Sequence, residues 1–216
     1  MLSRKKIICP ENLLKIAKTK GPVKVVIVNA GKPITIESAK QAVDENLIEP
    51  IFVGNKLIIE QLAKDIKWDL SMYEIINEPV ENNTALIAAR LASEEKVKII
   101  VKGHIHTDIL MKAVLKRNLN LIGKKRLSHV WHMTLDKNDK PFIITDGALN
   151  VLPKLETKIH ILKNSVDFAK RIGIIRPKVS ILSATEEVLD SVPSSIDAKE
   201  LTARSLSEKI DADVFG

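Results

Sequence analysis

Cysteine occurs once in this sequence, at Cys9, so no internal disulfide forms and no cysteine-based zinc cluster is available. Aromatic residues make up only 3% of the chain. Stacking platforms for single-stranded nucleic acid need repeated Phe, Tyr or Trp, so this scarcity speaks against a nucleic-acid partner. Long apolar runs are missing as well. The basic opening MLSRKKIICPENLL has an apolar stretch that stops at Pro10, too short for a signal peptide, and nothing later is long enough to span a membrane. The expectation is a cytoplasmic protein without a membrane partner. No tandem repeat and no run of like charge interrupts the chain.

What is present is ordinary for a globular protein: 216 residues, 45% hydrophobic and 28% charged. That length buries a sizeable core in one large domain or two small ones. The formal net charge of +7 suits anionic partners, unless it is simply a lysine-rich solvated surface.

Short β-branched runs alternate with amphipathic stretches. VKVVIVN (Val23 to Asn29), PIFVG (Pro50 to Gly54), YEIIN, VKIIV (Val97 to Val101), PFIIT (Pro141 to Thr145), KVSILS (Lys178 to Ser183) and ADVFG read as strands. Between them the spacing predicts helices. One is capped by Thr35, with Ile36, Ala39, Val43 and Leu47 on one face. One is capped by Asn82 or Asn83, one runs from Thr107 to Arg117, and one from Ala198 to Lys209. A stripe of Leu155, Ile159, Leu162, Val166 and Ala169 predicts another, closed by Gly173 as C′ residue. Such alternation means an α/β fold with mostly parallel sheet and helices on both faces. Ligands in these folds gather beyond the carboxyl ends of the strands. The turns of interest are therefore 29–33, 102–107, 145–150 and 183–187.

The turn Lys102–Gly103–His104–Ile105–His106–Thr107 carries the most chemistry. Lys102, a glycine that lets a ligand approach the backbone, and Thr107 as N-cap of the next helix suggest a cradle for an anion. The His104/His106 pair, with His129 and His132 as a second cluster, suits zinc or a metal pair, and hence a metal-dependent hydrolase. The positive Lys102 and helix dipole oppose a cation, and histidines bonded to local carbonyls are an equally ordinary reading. Elsewhere Ala30 to Pro33 reads as a turn that needs glycine. Asp146 is a strand-end base or a helix cap, and Ser183 and Thr185 offer hydroxyls to an anion. Trp68 and Trp131 read as packing residues.

The order of several motifs resembles the phosphate acetyl/butyryl transferases, above all the transferase part of proteins that fuse an enoyl-CoA hydratase-like domain to a phosphotransacetylase. The motifs are KGHIHTD (Lys102 to Asp108), RLSHV (Arg126 to Val130) and ITDGALN (Ile144 to Asn150). After them come PKLETKIHILKNSVDFAKRIGI, PKVSILSATEEV and VPSSIDAKELT, while ITIESAKQAVDENLIEPIFVG fits the family's first βαβ unit. The resemblance implies an isocitrate/isopropylmalate dehydrogenase-like architecture of two α/β domains, here 1–147 and part of a second at 148–216. It implies reversible transfer between acyl-CoA and inorganic phosphate, with coenzyme A as substrate and no metal or redox cofactor. Lys102, Gly103, Thr107, Ser128, Asn150 and Ser183 become candidate substrate contacts, and Asp146 the candidate catalytic base. The family's serine–arginine pair and later aspartate lie in a segment beyond Gly216. The resemblance therefore implies an incomplete C-terminus, weak activity of this chain alone, and a homodimer when that segment is present. A non-catalytic coenzyme A- or phosphate-binding scaffold is the alternative.

Overall fold

A computed structural model describes residues 9–123, 125–134 and 141–216. The first eight residues of the basic opening lie outside them. The chain divides into two compact units, Met1–Gly123 and Lys124–Gly216. The boundary that the resemblance implies, near Gly147, falls inside the second unit, because the hairpin before it packs against that unit's first helix.

The first unit begins with helix α1 (Glu11–Lys18). It then alternates β1 (Val23–Val28), α2 (Pro33–Asp44), β2 (Ile48–Gly54), α3 (Lys56–Asp65), β3 (Ile75–Asn77), α4 (Glu81–Ser93), β4 (Ile99–Lys102) and α5 (Thr107–Val114). The four strands form one parallel sheet in the order β3-β2-β1-β4. β1 is central, and Val25 to Val28 are all buried because both sheet faces are covered. The two-residue pleat sorts them. Val26 and Val28 pack with Val53 against Ala85, Ala88 and Ala89 of α4 and Leu110 of α5. Val25 and Ile27 face Ile36 of α2 and Ile59 of α3 on the other side, next to Phe52. Phe52, Trp68 and Tyr73 meet edge to face, with centroids 5.5–6.5 Å apart, so Trp68 packs as expected.

Several expected boundaries move for identifiable reasons. α2 starts two residues before Thr35, because Pro33 at its first position has a preset φ and no amide to satisfy. α4 starts before Asn82, at Glu81, with Val80 as N-cap residue and no side-chain cap; the Glu78 carboxylate accepts from Val80 N–H (2.9 Å) and from Asn83 Nδ2 (3.2 Å) at the helix entrance. α5 ends at Val114, and a 3-10 turn over Arg117–Leu119 follows. Lys116 and Arg117 therefore lie past the helix, and Lys112 is the base of its last turn.

The second unit carries β5 (Val130–Thr134) and β6 (Pro141–Thr145) as an antiparallel pair. α6 (Leu155–Arg171), β7 (Lys178–Ser180), α7 (Pro193–Ser207) and β8 (Asp213–Phe215) follow, with β7 and β8 parallel. The strand Val130–Thr134 and its antiparallel pairing are additions to the expected order. β7 stops at Ser180, and α7 begins at Pro193 rather than Ala198, again with proline in its first turn. The α6 stripe buries Ile159, Leu162 and Val166 against Leu201 of α7, with Val179 and Val214 beside them. Gly173 closes α6 as expected. At φ 97° it donates to Lys170 O (3.1 Å) while Ile174 N–H reaches Ala169 O (3.0 Å), a Schellman motif. Lys158–Asp197 (2.5 Å), Arg204–Glu156 (2.5 Å) and Lys163–Glu208 tie α6 to α7 and its C-terminal end. Trp131 does not pack as expected. It is 57% exposed, on the same face of the β5–β6 pair as Met133, Phe142 and Ile144, which are all exposed.

Candidate functional site

In the first unit the strand order reverses between β1 and β4, the switch point beyond which open α/β sheets bind ligands. Two segments leave the sheet there, after Val28 and after Lys102. Asn29 turns the first with φ 52°, a left-handed conformation that asparagine tolerates. Gly31 has no positive φ, and a Cβ there would meet its nearest atoms only at 4.0 Å, so the turn rests on Asn29 and not on the expected glycine. Asn29 then holds the second segment. Its carbonyl accepts from His104 N–H (3.0 Å), and its Nδ2 donates to His104 O.

Gly103 is required by the fold itself. A Cβ at this position would meet Val28 O at 2.4 Å and Asn29 O at 2.7 Å. The close approach that calls for glycine is made by β1 rather than by a ligand. His106, not Thr107, is the N-cap residue of α5, and Thr107 is its first helical residue. The amide of His106 is already engaged: Glu81, in the first turn of α4, accepts from it at 2.6 Å. Lys102, His104, His106 and Thr107 are exposed around this turn. Asp108 bonds Lys112 at 3.2 Å, and that ammonium is the main reason its carboxyl lies below the usual carboxylate range. The turn thus combines an exposed lysine, a helix N-terminus and a resident carboxylate, Glu81.

In the second unit, four consecutive residues without regular structure are each held by side chains. Asn164 of α6 donates to Arg126 O (2.8 Å) and to Ser128 Oγ (2.9 Å). Asn150 donates to Leu127 O (3.0 Å) and to Asp146 Oδ2 (2.9 Å). Asp146 Oδ1 accepts from His129 N–H (3.2 Å), and Thr145 Oγ1 donates to His129 O (3.1 Å). Asp146 itself turns the chain after β6 with φ 53°, its amide bonded to His129 O at 2.6 Å. Ser128, Asp146 and Asn150, all singled out from sequence, therefore meet in one polar knot. The His129 ring lies edge-on to Trp131, with Nδ1 buried and without a partner among the described residues.

Ser183 lies apart from this knot, in the loop after β7. Its hydroxyl sits 3.1 Å from Ser194 Oγ in the first turn of α7 and 3.5 Å from Thr185 N–H. Among the described residues, no three His, Cys, Asp or Glu side chains gather as a metal site would require. No helix of the described residues is long and apolar enough to cross a membrane. Sequence reasoning missed Asn29, Glu81 and Asn164. Only Asn29 carried a signal, as an asparagine at a strand end before Ala–Gly.

Residues 72–216 match the profile of the family described as "Phosphate acetyl/butaryl transferase". A phosphate acetyltransferase of Rickettsia typhi is 36% identical over 192 residues, covering 88% of this chain and 55% of its own length. A phosphate butyryltransferase of Clostridium acetobutylicum is 34% identical over 195 residues, covering 90% and 64%. The crystal structure of a branched-chain phosphotransacylase from Enterococcus faecalis superposes with a TM-score of 0.75 at 31% identity, over 90% of this chain and 67% of that one. This chain spans little more than half the length of the Rickettsia relative. With a parallel sheet, its switch-point turn and a matched segment that makes up most of its length, the chain belongs to the phosphate acetyl/butyryl transferase family.

Proposed function

We propose that the protein takes part in phosphate acyl transfer: acyl-CoA and inorganic phosphate give acyl phosphate and coenzyme A, with an acetyl- or butyryl-type acyl group. The observation that carries this reading is a coincidence of place. The family motif Lys102 to Asp108 is the turn at the switch point between β1 and β4. In the proposed reaction a phosphate oxygen attacks the thioester carbonyl carbon, the C–S bond breaks, and the departing sulfur takes up a proton. The protein's task is to hold the two substrates together and to stabilise the oxyanion that forms. In the first unit Lys102 and the α5 amide at Thr107 would contact phosphate; in the second unit Ser128 would donate to a phosphate oxygen, and Asn150 and Ser183 would contact acyl-CoA. Asp146 is assigned the thiol proton. Its carboxylate keeps lone pairs beyond the two bonds it makes.

Several finer points belong to the same proposal. They are the likeness to hydratase–phosphotransacetylase fusions, the isocitrate/isopropylmalate dehydrogenase-like pairing of two domains, a homodimer, a cytoplasmic setting, and a requirement for groups outside this chain. Titration with inorganic phosphate is the test, followed by NMR or calorimetry. Lys102→Ala is expected to weaken binding by about 1–2 kcal/mol, the scale of one charge-assisted contact. Parent and variant binding phosphate equally would remove Lys102 from the site.

A further inference from the structure

We propose that Asn164 is a positioning residue that aims the Ser128 hydroxyl at the substrate phosphate. The inference rests on the assignment of Ser128 as a phosphate contact. The argument begins with the orientation of one amide. Asn164 Nδ2 lies 2.8 Å from the carbonyl oxygen of Arg126, and a carbonyl only accepts. The nitrogen end of the Asn164 amide must therefore face the Arg126–Ser128 segment. The same nitrogen lies 2.9 Å from Ser128 Oγ. Its second hydrogen is donated there, so the serine oxygen is an acceptor in this contact. The hydroxyl hydrogen of Ser128 is left to point away from α6, and no acceptor for it occurs among the described residues.

Rotation of a serine hydroxyl is normally free, and that freedom is lost when it meets a ligand. Here the lone pair facing α6 is already committed, so the hydrogen is turned outward before any ligand arrives. The carrier of the hydroxyl is fixed as well. Leu127 O is held by Asn150 and His129 N–H by Asp146, so Ser128 is clamped on both sides. A preset donor on a clamped segment is what stabilisation of a developing anionic oxygen requires. Asn164 lies within α6, a half-buried polar residue beside buried Ile161, Ser165 and Val166, and its place in that helix needs no amide.

The test is a double-mutant cycle on phosphate affinity, with inorganic phosphate as the probe and calorimetry or 31P NMR as the readout. The proteins are the full chain, Asn164→Ala, Ser128→Ala and the double variant, with thermal unfolding recorded for each. Asn164→Leu repeats the cycle with a side chain of nearly the same shape, in case alanine loosens the fold. Each single substitution is expected to weaken phosphate binding about three- to ten-fold, the span of one hydrogen bond. The double variant is expected to be no weaker than Ser128→Ala, because Asn164 acts only through that hydroxyl. Equal losses from removing Asn164 with and without the serine hydroxyl would mean that it merely braces the Arg126 carbonyl, which overturns the proposal and leaves Ser128 a contact. Unchanged affinity in Asn164→Ala and Asn164→Leu overturns it too. Unchanged affinity in Ser128→Ala, or no phosphate binding by the parent, overturns both this inference and the assignment on which it rests.

Discussion

The backbone of Gly103 lies so close to Val28 that a Cβ would stand 2.4 Å from the Val28 carbonyl oxygen, which itself accepts the Gly103 N–H at 2.9 Å. Neither neighbour can retreat, since Val28 is fully buried at the end of the central strand. Gly103→Ala is therefore expected to destabilise the first unit by about 1–3 kcal/mol, the usual cost of forcing a methyl into a packed site. Urea unfolding checks this through a lower midpoint at unchanged slope. A midpoint equal to the parent's would mean that the turn relaxes freely, and the fit of Gly103 against β1 would lose its meaning.

Glu81 brings a negative charge to the turn proposed to bind phosphate, where it accepts from His106 N–H at 2.6 Å. Glu81→Gln keeps an oxygen for that amide and removes the charge. Phosphate affinity is expected to rise by on the order of 1 kcal/mol, the Coulomb energy of two unit charges about 4 Å apart in water. Calorimetry at low salt reads the gain, which should shrink as salt is added. Equal or weaker binding in the glutamine variant would show that no anion sits near Glu81.

Acid should weaken the second unit through three carboxyls. Lys163, then Arg204, holds Glu208 below its ordinary value of 4.5. Lys170 holds Asp211, and Arg176 holds Asp213, below their ordinary 3.8. A folded-state value below the unfolded one stabilises at higher pH, and that contribution disappears as pH falls through the folded value. The urea midpoint should thus fall from about pH 4.5 downward. Arg176→Met should show a shallower fall, because Asp213 loses its main partner. All three carboxyls are exposed, so the effect should be small and sensitive to salt. A parent and variant with parallel pH profiles would remove Arg176 from the explanation.

Acyl transfer by this polypeptide alone is expected to be far below the typical enzyme turnover of about ten per second. The chain spans 55% of the Rickettsia relative's length, and we propose that the reaction draws on groups in the remainder. Groups that act as a unit lose nearly all their effect together. Release of free thiol from acetyl-, propionyl- and butyryl-CoA in the presence of phosphate measures this. Turnover near ten per second would mean that residues within the chain suffice, and Asp146 and Lys102 would be the first to replace.

The sheet of the first unit was legible because its central strand β1 is buried on both faces and so reads as a near-continuous β-branched run. The α6 stripe was legible because a long amphipathic helix repeats its signal. Helix starts were less legible: α2 and α7 begin at prolines, and α4 begins at Glu81 with no side chain capping it. The strand Val130–Thr134 was missed because VWHMT contains a histidine, and its pairing depends on a register set by β6. Of the residues in the polar knot, Ser128 and Asn150 were singled out from motif order and Asp146 already as a strand-end carboxylate. Asn164 was hidden inside the very stripe that made α6 legible.

The two tryptophans divide between the two units, and each occupies a different environment. Trp68 sits in the aromatic cluster of the first unit, edge-on to Phe52 and Tyr73, while Trp131 stands 57% exposed on the β5–β6 pair of the second. The protein therefore carries its own pair of optical reporters, with Trp68 expected to emit further to the blue than Trp131. Trp131→Phe leaves a probe of the first unit alone, and Trp68→Phe a probe of the second. Superimposed denaturation curves from the two single-tryptophan proteins would identify one cooperative transition, and separated curves would give each unit its own stability.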